Sequence, residues 1–175
     1  VGQHLFRGAT VWGLLTRCWF FVFLGRDNHI VSRLTRGTIE AQVANAIVQF
    51  QREQQGRGPS DVRVHLIGDL ILVRCTGIFT LTETRLSISE EGRRLIKSAR
   101  QELRAITRAD QESLIAGIAG CKVIRSYGDV DVEAAEQMDV FVLATDLEKR
   151  LLRQDLHARS GLARKKSPPS AYPRR

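Results

Sequence analysis

The segment Gly56–Gly77 constrains the fold of this chain more than any other, because it combines a helix stop, two strands and the turn that joins them. A two-residue turn at Gly68-Asp69 fixes the register of both strands, so that Val62 pairs with Cys75. In this register one face of the hairpin is wholly apolar, which predicts the side that packs on a core. That face consists of Val62, Val64, Leu66, Ile71, Val73 and Cys75.

The other face of the hairpin carries Arg63, His65 and Arg74, which form our candidate partner or anion face. Arg63 and Arg74 lie directly opposite each other and repel unless an acidic group is near. They could bind an anion, an acidic partner or a second copy of the chain; alternatively, they extend into solvent or pair with carboxylates of a neighbouring strand. No second ligand lies at metal-binding spacing from His65, so we predict neither a metal nor a cofactor.

The charge of the 175-residue chain is unevenly distributed. Residues 1–37 carry +4, residues 38–148 carry −4 and residues 149–175 carry +8. The basic character therefore belongs to two arms and not to the body, which argues against a body that reads nucleic acid. We divide the chain into an N-terminal arm (1–37), an α+β domain (38–148) and a basic tail (149–175).

The N-terminal arm contains an apolar stretch, Gly8–Gly25, that Arg17 interrupts. A central arginine costs about 2.5–3.5 kcal/mol on insertion into a membrane, and the stretch is at the lower length limit for a span. It also lacks a good signal-peptide cleavage site. Three interpretations stay open: a membrane-surface anchor, an element packed on the domain, or upstream sequence read from a misplaced start.

The basic tail ends in a proline-containing segment with too little apolar content to pack. We predict a short helix over Lys149–His157 and disorder after about Gly161. The apolar side of that helix would carry Leu151, Leu152 and Leu156. The tail either makes a weak contact with anionic membrane or RNA, or only solubilises the chain.

A first helix is predicted to begin at Thr38 as N-cap and to end at Gly56. Its apolar residues recur at helical spacing; they are Ile39, Val43, Ala46, Ile47 and Phe50. The segment Gly56–Pro59 lacks the Gly-Lys-Ser/Thr ending of a phosphate loop, which favours a helix stop. Thr80 and Glu83 have the spacing of a capping box, which predicts a short helix to Leu86.

A long helix is predicted from Glu90 to Ile118, with Asp110 interrupting its apolar stripe. The stripe consists of Leu95, Ala99, Leu103, Ile106, Leu114, Ile115 and Ile118. At about 1.5 Å per residue this helix is about 40 Å long, more than a domain of this size covers by itself. We therefore predict a homodimer.

Two further strands are predicted, Cys121–Tyr127 and Met138–Ala144. The link between them is acidic and carries Asp129, Asp131, Glu133 and Glu136. It lacks the spacing of an EF-hand, so we interpret it as a solvated loop or as the partner of the hairpin arginines. The predicted fold is α+β in the order α-β-β-α-α-β-β, a four-stranded antiparallel sheet with helices on one face.

The segment Thr38–Leu143 resembles the MpsC family, the bacterial component of a Na+-translocating membrane-potential-generating system that was formerly a domain of unknown function. The residues that carry the resemblance include Gly56, Arg57, Gly58, Pro59, Gly68, Asp69, Thr80, Glu83, Gly92, Arg93 and the closing Phe141–Leu143. The chain departs from the family in lacking a proline after Thr80.

The resemblance implies a soluble accessory subunit without catalytic activity, in the cytoplasm or at the membrane, with a membrane-protein partner and a link to inorganic-carbon uptake. The competing class is a small nucleic-acid-binding module that uses the basic arms, but the predicted sheet lacks a pair of stacking aromatic residues. An enzyme is not predicted, because Cys18, Cys75 and Cys121 form no CxxC pair and no triad order is visible.

Overall fold

The computed structural model describes residues 35–165, with side chains described as far as His157. Within this range four helices and four strands follow the order α-β-β-α-α-β-β-α, which confirms the α+β class. The helices are α1 (Arg36–Gln55), α2 (Leu81–Leu86), α3 (Glu90–Ala119) and α4 (Leu147–Lys165). The strands are β1 (Asp61–Ile67), β2 (Leu70–Thr76), β3 (Val123–Asp131) and β4 (Glu136–Leu143).

The four strands form one antiparallel sheet in the order β1-β2-β4-β3. The predicted hairpin register is confirmed at every pair from Val62–Cys75 to Ile67–Leu70. Gly68 adopts a φ of 61°, a left-handed conformation that the two-residue turn requires and that glycine adopts without strain.

One face of the sheet is buried under α1 and α3. The core joins Ile39, Val43 and Ile47 of α1 to Leu66 and Ile71 of the hairpin. The residues of β1 and β2 that we predicted to face a core are buried, except for Val62, which is half-buried. Burial of these branched and aliphatic side chains, each contributing about 1.5–3 kcal/mol, is the main source of stability.

Helix α1 begins earlier than the sequence predicted. The N-cap is Thr35, not Thr38: the Thr35 hydroxyl accepts a hydrogen bond from the Thr38 N–H (3.2 Å), and the Thr38 hydroxyl accepts one from the Thr35 N–H (2.8 Å). Two threonines three residues apart form this capping box, whereas the usual pattern has Glu or Gln at the second of these positions. The predicted stop is confirmed, since Gly56 caps the helix at a φ of 72°.

Helix α2 and its capping box are confirmed. The Thr80 hydroxyl accepts the Glu83 N–H (3.2 Å), and the Glu83 carboxylate accepts the Thr80 N–H (2.7 Å).

The buried face of α3 differs from the predicted one. Leu95 and Ile106, which we placed on the apolar stripe, are 54% and 71% exposed. The buried residues are Gly92, Ile96, Arg100, Thr107, Gln111, Ile115 and Ala119, so only Ile115 belongs to both sets. The prediction was wrong because several residues of the buried face are polar, and a search for apolar residues misses them.

At the connection between them, β3 and β4 extend farther than the sequence predicted: β3 runs to Asp131 and β4 begins at Glu136. Asp129 and Asp131 lie in β3 and Glu136 lies in β4, so the interpretation of all four acidic residues as one link is wrong. The acidic side chains alternate with the buried Val130, which is the pattern of a strand with one exposed face. The remaining connection, residues 132–135, is ordered by Asp131, whose carboxylate accepts two backbone N–H groups.

Helix α4 starts at Leu147 and runs to Lys165, so it is longer at both ends than the predicted helix Lys149–His157. Leu147 and Leu151 are buried in the core, whereas Leu152 and Leu156 are exposed. A chain that ended at Glu148 would therefore lose part of the core. The apolar stretch Gly8–Gly25 and residues 166–175 lie outside the described residues.

Candidate functional site

Within residues 35–165 no helix covers the face of the sheet opposite α1 and α3, and this face is organised in rows that cross all four strands. Register places Arg63, Arg74, Met138 and Asp129 in one row, His65, Leu72, Val140 and Tyr127 in the next, and Ile67, Leu70, Val142 and Arg125 in the third. The centre of this face is apolar and the charged groups lie toward its margins. We call it the open sheet face.

The structure brings the candidate residues Arg63, His65 and Arg74 together on the open sheet face. Each arginine has a carboxylate: Arg63 Nε lies 3.1 Å from Asp61, and Arg74 Nη2 lies 2.6 Å from Glu136 of the neighbouring strand β4. The repulsion across the Arg63–Arg74 pair is therefore compensated. Both arginines stay substantially exposed, which leaves their remaining N–H groups accessible to a partner.

The residues that carry the family resemblance serve the fold in this structure. Arg57 donates from Nη1 to the Phe79 carbonyl (2.6 Å), and a side chain at Gly58 would press on Val48. The Gly68 carbonyl accepts the first N–H groups of α4, from residues 147 and 148, and the Asp69 carbonyl accepts the Leu143 N–H. These contacts tie the hairpin turn to the end of the sheet.

Glu83 also links α2 to a buried arginine. Arg100, 5% exposed, donates from Nε and Nη2 to the Glu83 carboxylate at 2.7 and 2.9 Å, and Nη2 also reaches the Ile78 carbonyl at 2.8 Å. Its guanidinium lies over the Phe79 ring. Burial by itself raises the pKa of Glu83, but the bonds from Arg100 and from Thr80 outweigh it and lower the pKa below its ordinary value of 4.5.

A second ion pair lies one helical turn farther along α3. Arg104 Nε donates to Asp139, a fully buried carboxylate of β4, at 3.0 Å. The other Asp139 oxygen accepts a bond from the Gln137 amide at 2.7 Å. Gly128 pairs with Asp139 across the strands, and a Cβ on Gly128 would overlap both the Asp139 carboxylate and Arg104 Nε. A glycine at 128 therefore makes room for this ion pair.

A small cavity of about 30 Å³ lies beside these two ion pairs, between α1, α3 and the sheet. We call it the polar cavity; its lining includes Phe50, Gln51, Arg100, Leu103, Arg104 and Gln137. Three buried atoms of its lining have no hydrogen-bond partner among the described residues. These atoms are Gln51 Oε1, Arg100 Nη1 and Arg104 Nη2.

The Gln51 amide is held by a cysteine. Gln51 Nε2 lies 3.6 Å from Cys75 Sγ, and burial raises the pKa of the Cys75 thiol to about 12. The thiol therefore keeps its proton at neutral pH. Because a thiol can donate as well as accept, this contact accommodates either end of the amide.

The polar cavity was not predicted from the sequence. Arg100, Arg104, Thr107 and Gln111 recur at spacings of four, three and four residues, so they share one side of α3 with Ile96 and Ile115. The signal available in the sequence was a run of polar residues on the same helix face as two apolar ones, which indicates a buried polar site. Among the described residues, those of the polar cavity included, no group of three or more His, Cys, Asp or Glu side chains is placed to hold a metal ion.

Comparison with known proteins gives one matching family model and one similar protein. The family model described as "Na+-translocating membrane potential-generating system (MpsC)" matches residues 35–145. A protein of Bacillus subtilis (strain 168), named "Uncharacterized protein YbcI", is 33% identical over 117 residues, which cover 67% of this chain and 94% of that protein. No solved structure matches the chain significantly.

Proposed function

Because the chain belongs to the MpsC family, we propose that it is a non-catalytic accessory subunit of a bacterial Na+-translocating, membrane-potential-generating system. The open sheet face carries this proposal, since it combines an apolar centre with accessible arginines and has no covering element within residues 35–165. Within the same range, no helix is long and apolar enough to cross a membrane. We propose that the chain acts by docking on a membrane-protein partner, and the open sheet face fits an apolar segment flanked by acidic groups.

Replacing Arg63 and Arg74 together by alanine should abolish docking while the fold remains intact. Both side chains are exposed and their ion pairs are superficial, so the unfolding midpoint should change little. The measurement is complementation: the gene is deleted from the source bacterium, and the membrane potential in Na+ medium is followed with a potential-sensitive dye. Deletion should lower the potential, and the double variant should not restore it.

The matched control for this experiment is Arg94→Ala, which removes an exposed arginine of α3 away from the sheet and should restore the potential as the unchanged chain does. Full restoration by the double variant would show that the open sheet face is not the docking surface. An unchanged potential after deletion would instead contradict the proposed function itself.

We also propose that the chain is a homodimer through the outer face of α3. Leu95, Ala99 and Ile106 are exposed there at helical spacing, Leu103 is half-buried beside them, and the helix has 30 residues. A second copy would cover this stripe, as one helix packs on another.

Ile106→Glu should convert the dimer to a monomer without unfolding it, because the side chain is 71% exposed in the single chain. Sedimentation at tens of micromolar should give twice the 19.7 kDa chain mass for the unchanged protein and the chain mass for the variant. Gln101→Glu, which adds the same charge at an exposed residue on another side of the same helix, should leave the dimer intact. A monomer for the unchanged chain would refute the homodimer.

A further inference from the structure

The polar cavity has the features of a binding site that the proposed docking function does not use. Arg100 and Gln51 belong to its lining, are 5% and 3% exposed, and each has a buried polar atom without a partner among the described residues. Leaving such atoms unsatisfied costs free energy, more for a charged group than for a neutral one. A bound species that satisfies them therefore gains that free energy.

The chemistry of the free groups favours an anion. Two of the three are guanidinium N–H donors, from Arg100 and Arg104. Arg100 binds Glu83 through Nε and Nη2, and Arg104 binds Asp139 through Nε, so the nitrogen without a partner is Nη1 in Arg100 and Nη2 in Arg104. Two arginines of the cavity lining thus each keep an N–H donor that their ion pairs do not use. Gln51 adds one hydrogen-bonding group and, by turning its amide, can supply either an acceptor or a third donor.

Size and charge restrict the species further. A water molecule needs about 10–15 Å³ of such space, so the roughly 30 Å³ of the polar cavity suits a species of only a few atoms. Glu83 and Asp139 already balance the two arginines, so a bound anion leaves an excess charge in a region of low dielectric. A single negative charge is tolerated there far better than two.

We propose that the polar cavity binds one small monovalent anion, held by the free nitrogens of Arg100 and Arg104 and by the Gln51 amide. This proposal is independent of the open sheet face and of the dimer. The anion would join α1 to α3, so that its concentration sets the stability of the domain.

The test is thermal unfolding of the full chain at constant ionic strength, with sodium gluconate replaced stepwise by sodium chloride, nitrate or hydrogencarbonate. The midpoint should rise and saturate for at least one of these anions. At a concentration 100 times Kd, the folding equilibrium constant should shift about 100-fold. Chloride binding is also followed directly by the line width of 35Cl NMR.

Arg104→Lys should abolish the anion dependence, because lysine can keep the ion pair with Asp139 but has no second nitrogen to reach the cavity. The matched control is Arg108→Lys, four residues along α3, where the arginine is half-exposed and pairs with Glu112. It should keep the full dependence. If the first variant fails to fold, Gln51→Glu carries the test, since its carboxylate would occupy the place of the anion and remove the dependence.

An unfolding midpoint that does not depend on the anion would show that the cavity holds water only, which overturns the proposal. So would equal anion dependence in the unchanged chain and the Arg104→Lys variant, because the effect would then arise elsewhere on the surface. The docking function is read from membrane potential and the open sheet face, so failure of either proposal leaves the other standing.

Discussion

Replacing Arg100 by methionine is expected to lower the free energy of unfolding by about 3–5 kcal/mol, because the change removes one partner of a buried ion pair. Glu83 would lose both bonds from the guanidinium, and the Ile78 carbonyl would lose its donor. Methionine fills a similar space, so packing against Phe79 changes less than electrostatics. Urea unfolding followed by circular dichroism gives the difference.

Two further variants separate the buried charge from other effects. Arg94→Met removes an exposed arginine of the same helix that pairs with Glu90, and should cost about 0.5 kcal/mol or less. Adding Glu83→Gln to Arg100→Met should recover part of the loss, because glutamine keeps the capping box but carries no charge. A loss below about 1 kcal/mol for Arg100→Met would contradict the buried ion pair.

The same variant should respond differently to acid. The folded pKa of Glu83 lies below 4.5, so this carboxylate stabilises the domain above the pKa of the unfolded chain. That contribution is lost as the pH falls through the lower folded pKa. In the Arg100→Met variant the hydrogen bonds from Arg100 that lower the pKa of Glu83 are absent. The loss of stability that Glu83 causes on acidification should therefore disappear in this variant.

The hairpin and α2 could be predicted from the sequence because their determinants are local. A two-residue turn fixes every pair from Val62–Cys75 onward, and a capping box needs only Thr80 and Glu83. Neither depends on what lies across the domain. The open sheet face followed from the same register, since side chains alternate along a strand.

The polar cavity could not be predicted in this way, because its groups come from residues far apart in the sequence. Arg104 finds Asp139 35 positions away, and Gln51 contacts Cys75 24 positions away. A polar residue on a helix is assigned to solvent unless its buried partner is known, so the sequence pattern placed the buried stripe of α3 on the wrong side. The unexpected length of β3 has a related cause: Asp129 pairs with Met138 of β4, a strand contact that the acidic composition of this segment does not show.

Gly128→Ala should lower the free energy of unfolding by about 2–3 kcal/mol, although alanine is usually tolerated in a strand better than glycine. The added Cβ would overlap Asp139 and Arg104 together, so the two side chains could not keep their present contact. Asp139 is fully buried, so its negative charge would remain inside the domain while the balancing contact with Arg104 is weakened. Urea unfolding again gives the magnitude.

Gly117→Ala is the matched control, because nothing lies within 4 Å of a Cβ at that position in α3. Alanine in a helix is more favourable than glycine by about 0.5–1 kcal/mol, so this variant should be more stable than the unchanged chain. The two glycine-to-alanine changes should therefore alter the free energy of unfolding in opposite directions. The difference between the two values measures the cost of filling the space beside the Arg104–Asp139 contact. If Gly128→Ala were also stabilising, the strand would tolerate a side chain there and the Arg104–Asp139 contact could not depend on glycine.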